Sequence, residues 1–382
     1  MSLKARLKFD RASRGIAMGA GVFAALVWCL QAACFGANPN DLWISLRPDG
    51  RNGTGARSDP FDGGNQPRLD ALLKAVPPNA TIHFAAGTFL TTGIQAKEGW
   101  RIAGAGKDST IIKLIDGALL DITPGCECCV ISHFDFQGFF KYFALKDLTI
   151  DCNRSNQPAF KKNLKGYSLD AWIIAAKNAK IENVRAMGTW ANPGEGFPCH
   201  IYHDGSKSGG DRIEISGCEN LNPVGYLTAI SAFDQLGGTF SGFIRNCLVT
   251  DHPRGSAFGS GGWRNFDVSH NVTRNVAIPL VIDTHNYYDV RIFENRFYNC
   301  GAWGVLFNGA GVYENISIHH NIFEMADTAT GPCLNPGRSK GTITVYRNTF
   351  IQKNVAAPVL VKGPNMKASV RENTVRRRMK GG

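Results

Sequence analysis

The side chains whose types suit them to chemistry are acids, histidines and one arginine: His203, Asp204, Asp234, Arg254, Asp283 and His285. Short apolar segments precede several of them. Aligning those segments puts His203 and Asp204, Asp234, Ser260, Asp283 and His285, then Asn308, at one edge of a single sheet. At strand spacing Asp204 and Asp234 would lie about 5 Å apart, and Asp234 and Asp283 about 10 Å apart. Carboxylates that close repel unless a cation or shared proton relieves them, and an oxygen-rich cluster suits Ca²⁺. The chemistry expected of such a set is removal of a proton α to a carboxylate with expulsion of a glycosidic oxygen. That reaction needs a cation against the substrate carboxylate and a nearby base. Asp204, Asp234 and Asp283 are expected to hold the metal. His285 or Arg254 would be the base, His203 a second candidate, and Trp263 and Tyr287 would stack on sugar rings. A hydrolase would use two of the same aspartates as acid and base. Singly, each residue has a plainer use. Asp at a strand end is ordinarily a turn former, His252 before Pro253 a turn residue, Trp263 a core cap, and His319 and His320 surface and packing residues. The case for a site is their convergence at one edge.

Elements that could position such a set are written in an internal repeat. Its phrase is an apolar residue, any residue, an apolar residue, two polar residues, Asn, any residue and a large apolar residue. It reads Val290-Arg-Ile292-Phe-Glu-Asn295-Arg-Phe297, Ile316-Ser-Ile318-His-His-Asn321-Ile-Phe323 and Ile343-Thr-Val345-Tyr-Arg-Asn348-Thr-Phe350, with a weaker copy around Asn373. Anchors at Asn246, Asn271, Asn295, Asn321, Asn348 and Asn373 follow at intervals of 25, 24, 26, 27 and 25 residues. Cys218 stands in for Asn one coil earlier, and Asn183 and Asp147 mark degenerate copies, with loops inserted between them. Apolar alternation is a half-buried strand, and an Asn at fixed offset can stack as a ladder. No unit buries its own face, so the units must stack. A second strand precedes each phrase, as in Leu280-Val-Ile282 and Gly304-Val-Leu-Phe307. The fold expected is all-β, a single-domain right-handed parallel β-helix.

The N-terminal third carries further wording: Asp49-Gly-Arg-Asn-Gly-Thr-Gly55, Leu69-Asp-Ala-Leu-Leu73, Thr81-Ile-His-Phe-Ala-Ala-Gly87-Thr-Phe89 and Leu145-Lys-Asp-Leu-Thr-Ile150-Asp-Cys-Asn153. This resembles the opening of the pectate-lyase-like β-helix superfamily, over about residues 41 to 375. The resemblance implies a short N-terminal capping helix and a polysaccharide partner. It does not choose among lyases, hydrolases, epimerases and non-catalytic members. The chain lacks the paired-aspartate and Gly-His-Gly motifs of polygalacturonase-type hydrolases, the Arg-x-Pro-x-x-Arg phrase of well-known pectate lyases and the Asp-Pro-His-Asp motif of alginate epimerases. His252-Pro-Arg254 and Val281-Ile-Asp283-Thr-His285 resemble lyase motifs only in pieces.

Composition bounds the rest. The net charge of +11 is concentrated at the two ends and leaves about +3 for the body, which argues against nucleic acid as a partner. Residues 1–37 join a basic start to an apolar stretch, Gly15 to Leu30, and small residues: a signal peptide, with an uncleaved anchor or a lipoprotein site at Cys34 as alternatives. Each places the protein outside the cytoplasm, extracellular or periplasmic, and no second stretch is long enough to span a bilayer. Segments 38–117, 118–375 and 376–382 are expected as cap and first coils, regular coils and basic tail. Nine cysteines follow the export segment. The Cys126-Glu127-Cys128-Cys129 cluster lacks a partner pair at zinc spacing and reads as disulfide or buried thiols. The leading expectation is an exported lyase on an acidic glycan, against a non-catalytic glycan-binding or adhesion module.

Overall fold

The computed structural model describes residues 40–377 apart from 119–127, 134–137, 164–167, 192–196, 204–209, 226–227, 235–236, 284, 309–310, 330–332, 336–339 and 354–364. The proposed export segment, Cys126 and Asp204 therefore lie outside the described residues. The chain winds as a right-handed parallel β-helix of three sheets. The first sheet stacks Phe240–Arg245, Trp263–Ser269, Tyr287–Phe293, Val312–His319 and Lys340–Tyr346 in parallel register. The second stacks 248–250, 272–274, Arg296–Cys300, Ile322–Met325 and Thr349–Gln352. The third stacks Ser168–Ala175, Cys199–His203, Thr228–Asp234, 256–261, 278–282 and Val305–Phe307.

Alternation decides which side chains fill the tube. Ile316 and Ile318 are buried while Ser317 between them faces out. Each inward Ile or Phe contributes about 1.5–3 kcal/mol by leaving water. Like residues follow like: Phe297, Phe323 and Phe350 succeed one another at 5.2 Å steps, the first pair tilted by 53° and the second stacked at 6°. At the front end, helix Gln66–Ala75 is capped by the Asn65 side chain, which accepts from Arg68 N at 3.1 Å, and it buries Leu69 and Leu73. Asp70 ties it to the first coil by accepting from Thr91 Oγ1 at 2.6 Å and Thr92 Oγ1 at 2.7 Å. This is the expected capping helix.

Between the first and second sheets the chain turns through a left-handed residue followed by a rung, buried in all but the last coil. Asn246, His270, Glu294, His320, Arg347 and Glu372 take the positive φ. Asn271, Asn295, Asn321, Asn348 and Asn373 follow as rungs. Asn271 N donates to Asn295 Oδ1 at 3.0 Å, Asn295 N to Asn321 Oδ1 at 2.9 Å, and Asn321 N to Asn348 Oδ1 at 3.0 Å. The first anchor is thereby shifted by one. Asn246 holds the left-handed turn, Cys247 is the rung, and Cys247 N donates to Asn271 Oδ1 at 2.9 Å. Asn183 and Asp147 also sit at the left-handed position, joined at 2.9 Å. Cys199, Cys218, Cys247 and Cys333 are buried free thiols. No helix among the described residues is long and apolar enough to cross a membrane.

Candidate active site on the third sheet

In the third sheet His203 pairs with Asp234 in register, and both side chains are fully buried. His203 Nδ1 lies 2.7 Å from Asp234 Oδ2, and Nε2 lies 2.9 Å from Asp211 Oδ2. A ring with a carboxylate oxygen at each nitrogen is suited to donate from both. Burial works against its charge, but hydrogen bonds and charge from Asp234 and Asp211 outweigh it and raise the His203 pKa above its ordinary value. The remaining Asp234 oxygen accepts from Gly238 N at 2.7 Å. Gly262 is required beside it: its φ is +84°, and a Cβ there would come within 2.6 Å of Asp234 Cβ.

On the outward side of the same sheet lies His285. Its backbone N closes a tight turn onto Asp283 O at 2.7 Å, and its ring meets Phe233 edge-on at 4.5 Å. The imidazole rests over Gly261, where a Cβ would come within 2.7 Å of Nδ1. That Nδ1 is buried and has no hydrogen-bond partner among the described residues. Burial lowers the His285 pKa, with the charges of Asp234 and Asp283 opposing it, so the ring is neutral near pH 7. The partly exposed Asp283 carboxylate accepts from Asn308 Nδ2 at 3.2 Å. His200 completes the floor. It is fully buried among Phe197, Tyr202 and Phe233, with Nδ1 against Ser231 Oγ and its pKa pushed down to about 3 by burial.

Several expectations are corrected. Ser260 pairs with Ile282 and with Ala232, so Asp283 follows one level beyond that pair while Asp234 follows two levels beyond it. One residue of offset reverses the face of a strand. Asp234 therefore points into the tube and Asp283 outward. Asp234 is committed to His203 and Gly238 N. Among the described residues no group of three or more His, Cys, Asp or Glu could hold a metal ion. Asp204, the third member of the expected Ca²⁺ set, lies outside the described residues.

Trp263 and Tyr287 are fully buried and cannot stack on a sugar. Trp263 stacks on Phe266 at 4.5 Å, and Tyr287 on Tyr313 at 4.9 Å. Bulge residues with positive φ, Asn265, Asp289 and Asn315, are responsible. The extra residue lets Trp263 and Phe266 both face inward opposite Phe240 and Gly242. Tyr287 acts from beneath, donating to Asp283 O at 2.9 Å, with Tyr313 doing so at 3.3 Å. The tyrosines thus hold the turn that carries His285.

Arg254 stands apart. It lines a cleft of about 560 Å³ with Trp190, Asn222 and His252, beyond the start of 256–261, whereas His285 lies over Gly261 at the other end. Five strand steps alone span about 17 Å, so Arg254 and His285 do not share a centre. His252 is buried, its Nδ1 3.1 Å from Pro223 O. The spacing did not reveal Asp211, which enters its strand level with Phe240 of the next coil.

No family model and no curated protein matches the chain. Solved structures do. The N-terminal fragment of bacteriophage Phi29 gene product 12 is similar at 15% identity and TM-score 0.57, over 93% of this chain and 59% of that one. PfbA, a surface adhesin of Streptococcus pneumoniae, is similar at 14% identity and TM-score 0.54, over 83% and 89%. The A-module of the Azotobacter vinelandii mannuronan C-5 epimerase AlgE6 aligns at 15% identity and TM-score 0.44, over 82% and 96%. At these identities the likeness is one of fold.

Proposed function

We propose that this β-helix is an exported enzyme that cleaves an acidic polysaccharide by β-elimination, with His285 as the base. The observation that carries the reading is the His285 imidazole: neutral, half-buried on an outward sheet face, and borne on the turn that also carries the Asp283 carboxylate. In the step we infer, His285 takes the proton α to a uronate carboxylate whose charge a Ca²⁺ ion would neutralise. The released electron pair forms the ring double bond, the glycosidic C–O bond breaks, and the imidazolium returns the proton to the leaving oxygen. Asp283 favours the imidazolium while it exists. Asp234 with His203 and Asp211 backs the site from inside the tube as positioning groups.

The test is absorbance near 235 nm on polygalacturonate, alginate and rhamnogalacturonan. A rise that falls about 10²–10⁴-fold in His285→Gln, with folding intact, supports the reading. Silence on every uronan, or a His285→Gln protein as active as the parent, overturns it. A second reading, a non-catalytic glycan-binding surface module, is favoured by the fold-level likeness to a surface adhesin. It predicts glycan retention without new reducing ends.

A further inference from the structure

The outer face of the first sheet carries a row in strict register: Arg245, Ser269, Phe293, His319, Tyr346 and Arg371. Three of these form a continuous stack. Phe293 lies on His319 at 5.3 Å with 9° between planes, and His319 on Tyr346 at 4.9 Å with 21°. One end is closed by the Arg371 guanidinium, 5.0 Å from the Tyr346 centroid. At the other end Phe293, met by the His270 ring edge at 5.8 Å and the Arg291 guanidinium at 5.7 Å, is followed in the row by Ser269, a side chain too small to continue the stack, and then by Arg245. The levels of Arg245 and Phe293 are two strand spacings apart, about 9.6 Å. That is close to the two ring-to-ring steps seen further along the same row, so the row is short of one ring.

The gap is a polar-rimmed slot of about 250 Å³ lined by Phe243, Arg245, Asn246, Asp267, His270 and Phe293, with Ser269, 4% exposed, at its foot. Asp267 is held by Arg291 through two 2.7 Å contacts, and His270 by Glu294 at 2.6 Å. The Arg245 guanidinium lies over the Phe243 ring at 4.0 Å and has no carboxylate partner among the described residues. A flat C–H face against Phe293, an anionic group toward Arg245 and hydroxyls toward the Asn246 and Asp267 rim are the requirements of one acidic sugar ring. The volume falls below the roughly 300–1,000 Å³ of sites for larger ligands, so it holds a single residue of a glycan.

We propose that this slot binds one uronate residue, completing the outer stack in the place of the missing side chain. It lies on a different sheet from His285 and does not depend on catalysis there.

Saturation-transfer NMR with D-galacturonate, D-galactose and benzoate tests it on the full chain. Galacturonate is expected to show saturation of one C–H face, galactose to bind at least about tenfold more weakly, and Arg245→Ala to cost about tenfold. Ser269→Phe should fill the gap with a side chain and abolish binding while leaving the thermal midpoint unchanged. Should Ser269→Phe not fold, Arg245→Ala carries the decision. Absence of galacturonate binding, galactose binding equally well, or binding that survives both variants overturns the proposal. Benzoate matching galacturonate would overturn the sugar assignment. Running the same series on His285→Gln separates the two sites: slot binding persists there even when turnover is lost.

Discussion

Two regions of this tube bury polar side chains, and they do so in opposite ways. At the corner between the first and second sheets, the rungs from Asn271 to Asn348 spend both amide functions on neighbours above and below. Each rung is the same residue in the same pose, so every buried donor finds an acceptor. In the third sheet the buried polar residues differ from coil to coil: His200, Ser231, His203 and Asp234. There His203 is matched on both sides, while His285 and His200 each keep a nitrogen without a partner among the described residues. Leaving a buried polar atom unmatched costs about 1–3 kcal/mol. A repeat fold can avoid that cost by copying a rung, as the Asn corner does. Where the copying stops and a valence is left over, a functional site is the more economical explanation.

The comparison can be broken at four points. His285→Gln should lower turnover on a responsive uronan about 10²–10⁴-fold, with little change in thermal midpoint. A large loss of stability with turnover retained would make His285 a structural residue like the rungs. Asn321→Ala should do the reverse. It strands the Asn295 N–H, which donates to Asn321 Oδ1 at 2.9 Å, and the Ile292 carbonyl, which accepts from Asn321 Nδ2 at 2.8 Å. It should cost about 3–5 kcal/mol in urea unfolding, and catalysis should survive wherever the chain is folded.

Asp234→Asn should cost about 2–4 kcal/mol, since it leaves the His203 cation with one carboxylate fewer. Its pH signature follows from the raised His203 pKa. The stabilisation is fully present below the ordinary histidine value of about 6.5 and is lost as pH rises through the raised value. Thermal midpoints measured from pH 6 to 9 should therefore show the parent's advantage over Asp234→Asn shrinking toward the alkaline end. An advantage constant across that range would mean that His203 does not carry the charge. The lowered His285 pKa acts on activity instead: the acidic limb of kcat/KM should fall below the usual histidine range. Smallest of all, Cys247→Asn should extend the ladder by one rung and shift stability by less than about 1 kcal/mol.

Legibility in the sequence followed the same division. Periodicity revealed the coils and their stacking because each phrase must present the same apolar face, and an inward Phe323 needs an inward Phe350 beside it. It was misleading where one residue type can fill two adjacent roles. Asn tolerates the left-handed turn as readily as the rung, so the spacing puts Asn246 on a rung that Cys247 occupies. The site was legible as a neighbourhood and not as a geometry. His203, Asp234, Asp283 and His285 do gather along one sheet. Which face each side chain takes depends on a one-residue register, and Asp283 comes one level short of Asp234. Bulges at Asn265 and Asp289 then reversed the expected facing of Trp263 and Tyr287. A bulge leaves no periodic trace in one chain. Asp211 had no counterpart in neighbouring coils to announce it.

The buried thiols impose a schedule. Cys218 and Cys247 occupy the same rung position on successive coils, and burial pushes the Cys247 pKa well up, so in the finished tube this thiol is inert. Before the coils stack, the same sulfurs are exposed. In an exported chain they would meet an oxidising compartment. On the proposed export, winding would have to outrun oxidation. Refolding yield should rise with a reductant present during winding and become indifferent to it afterwards.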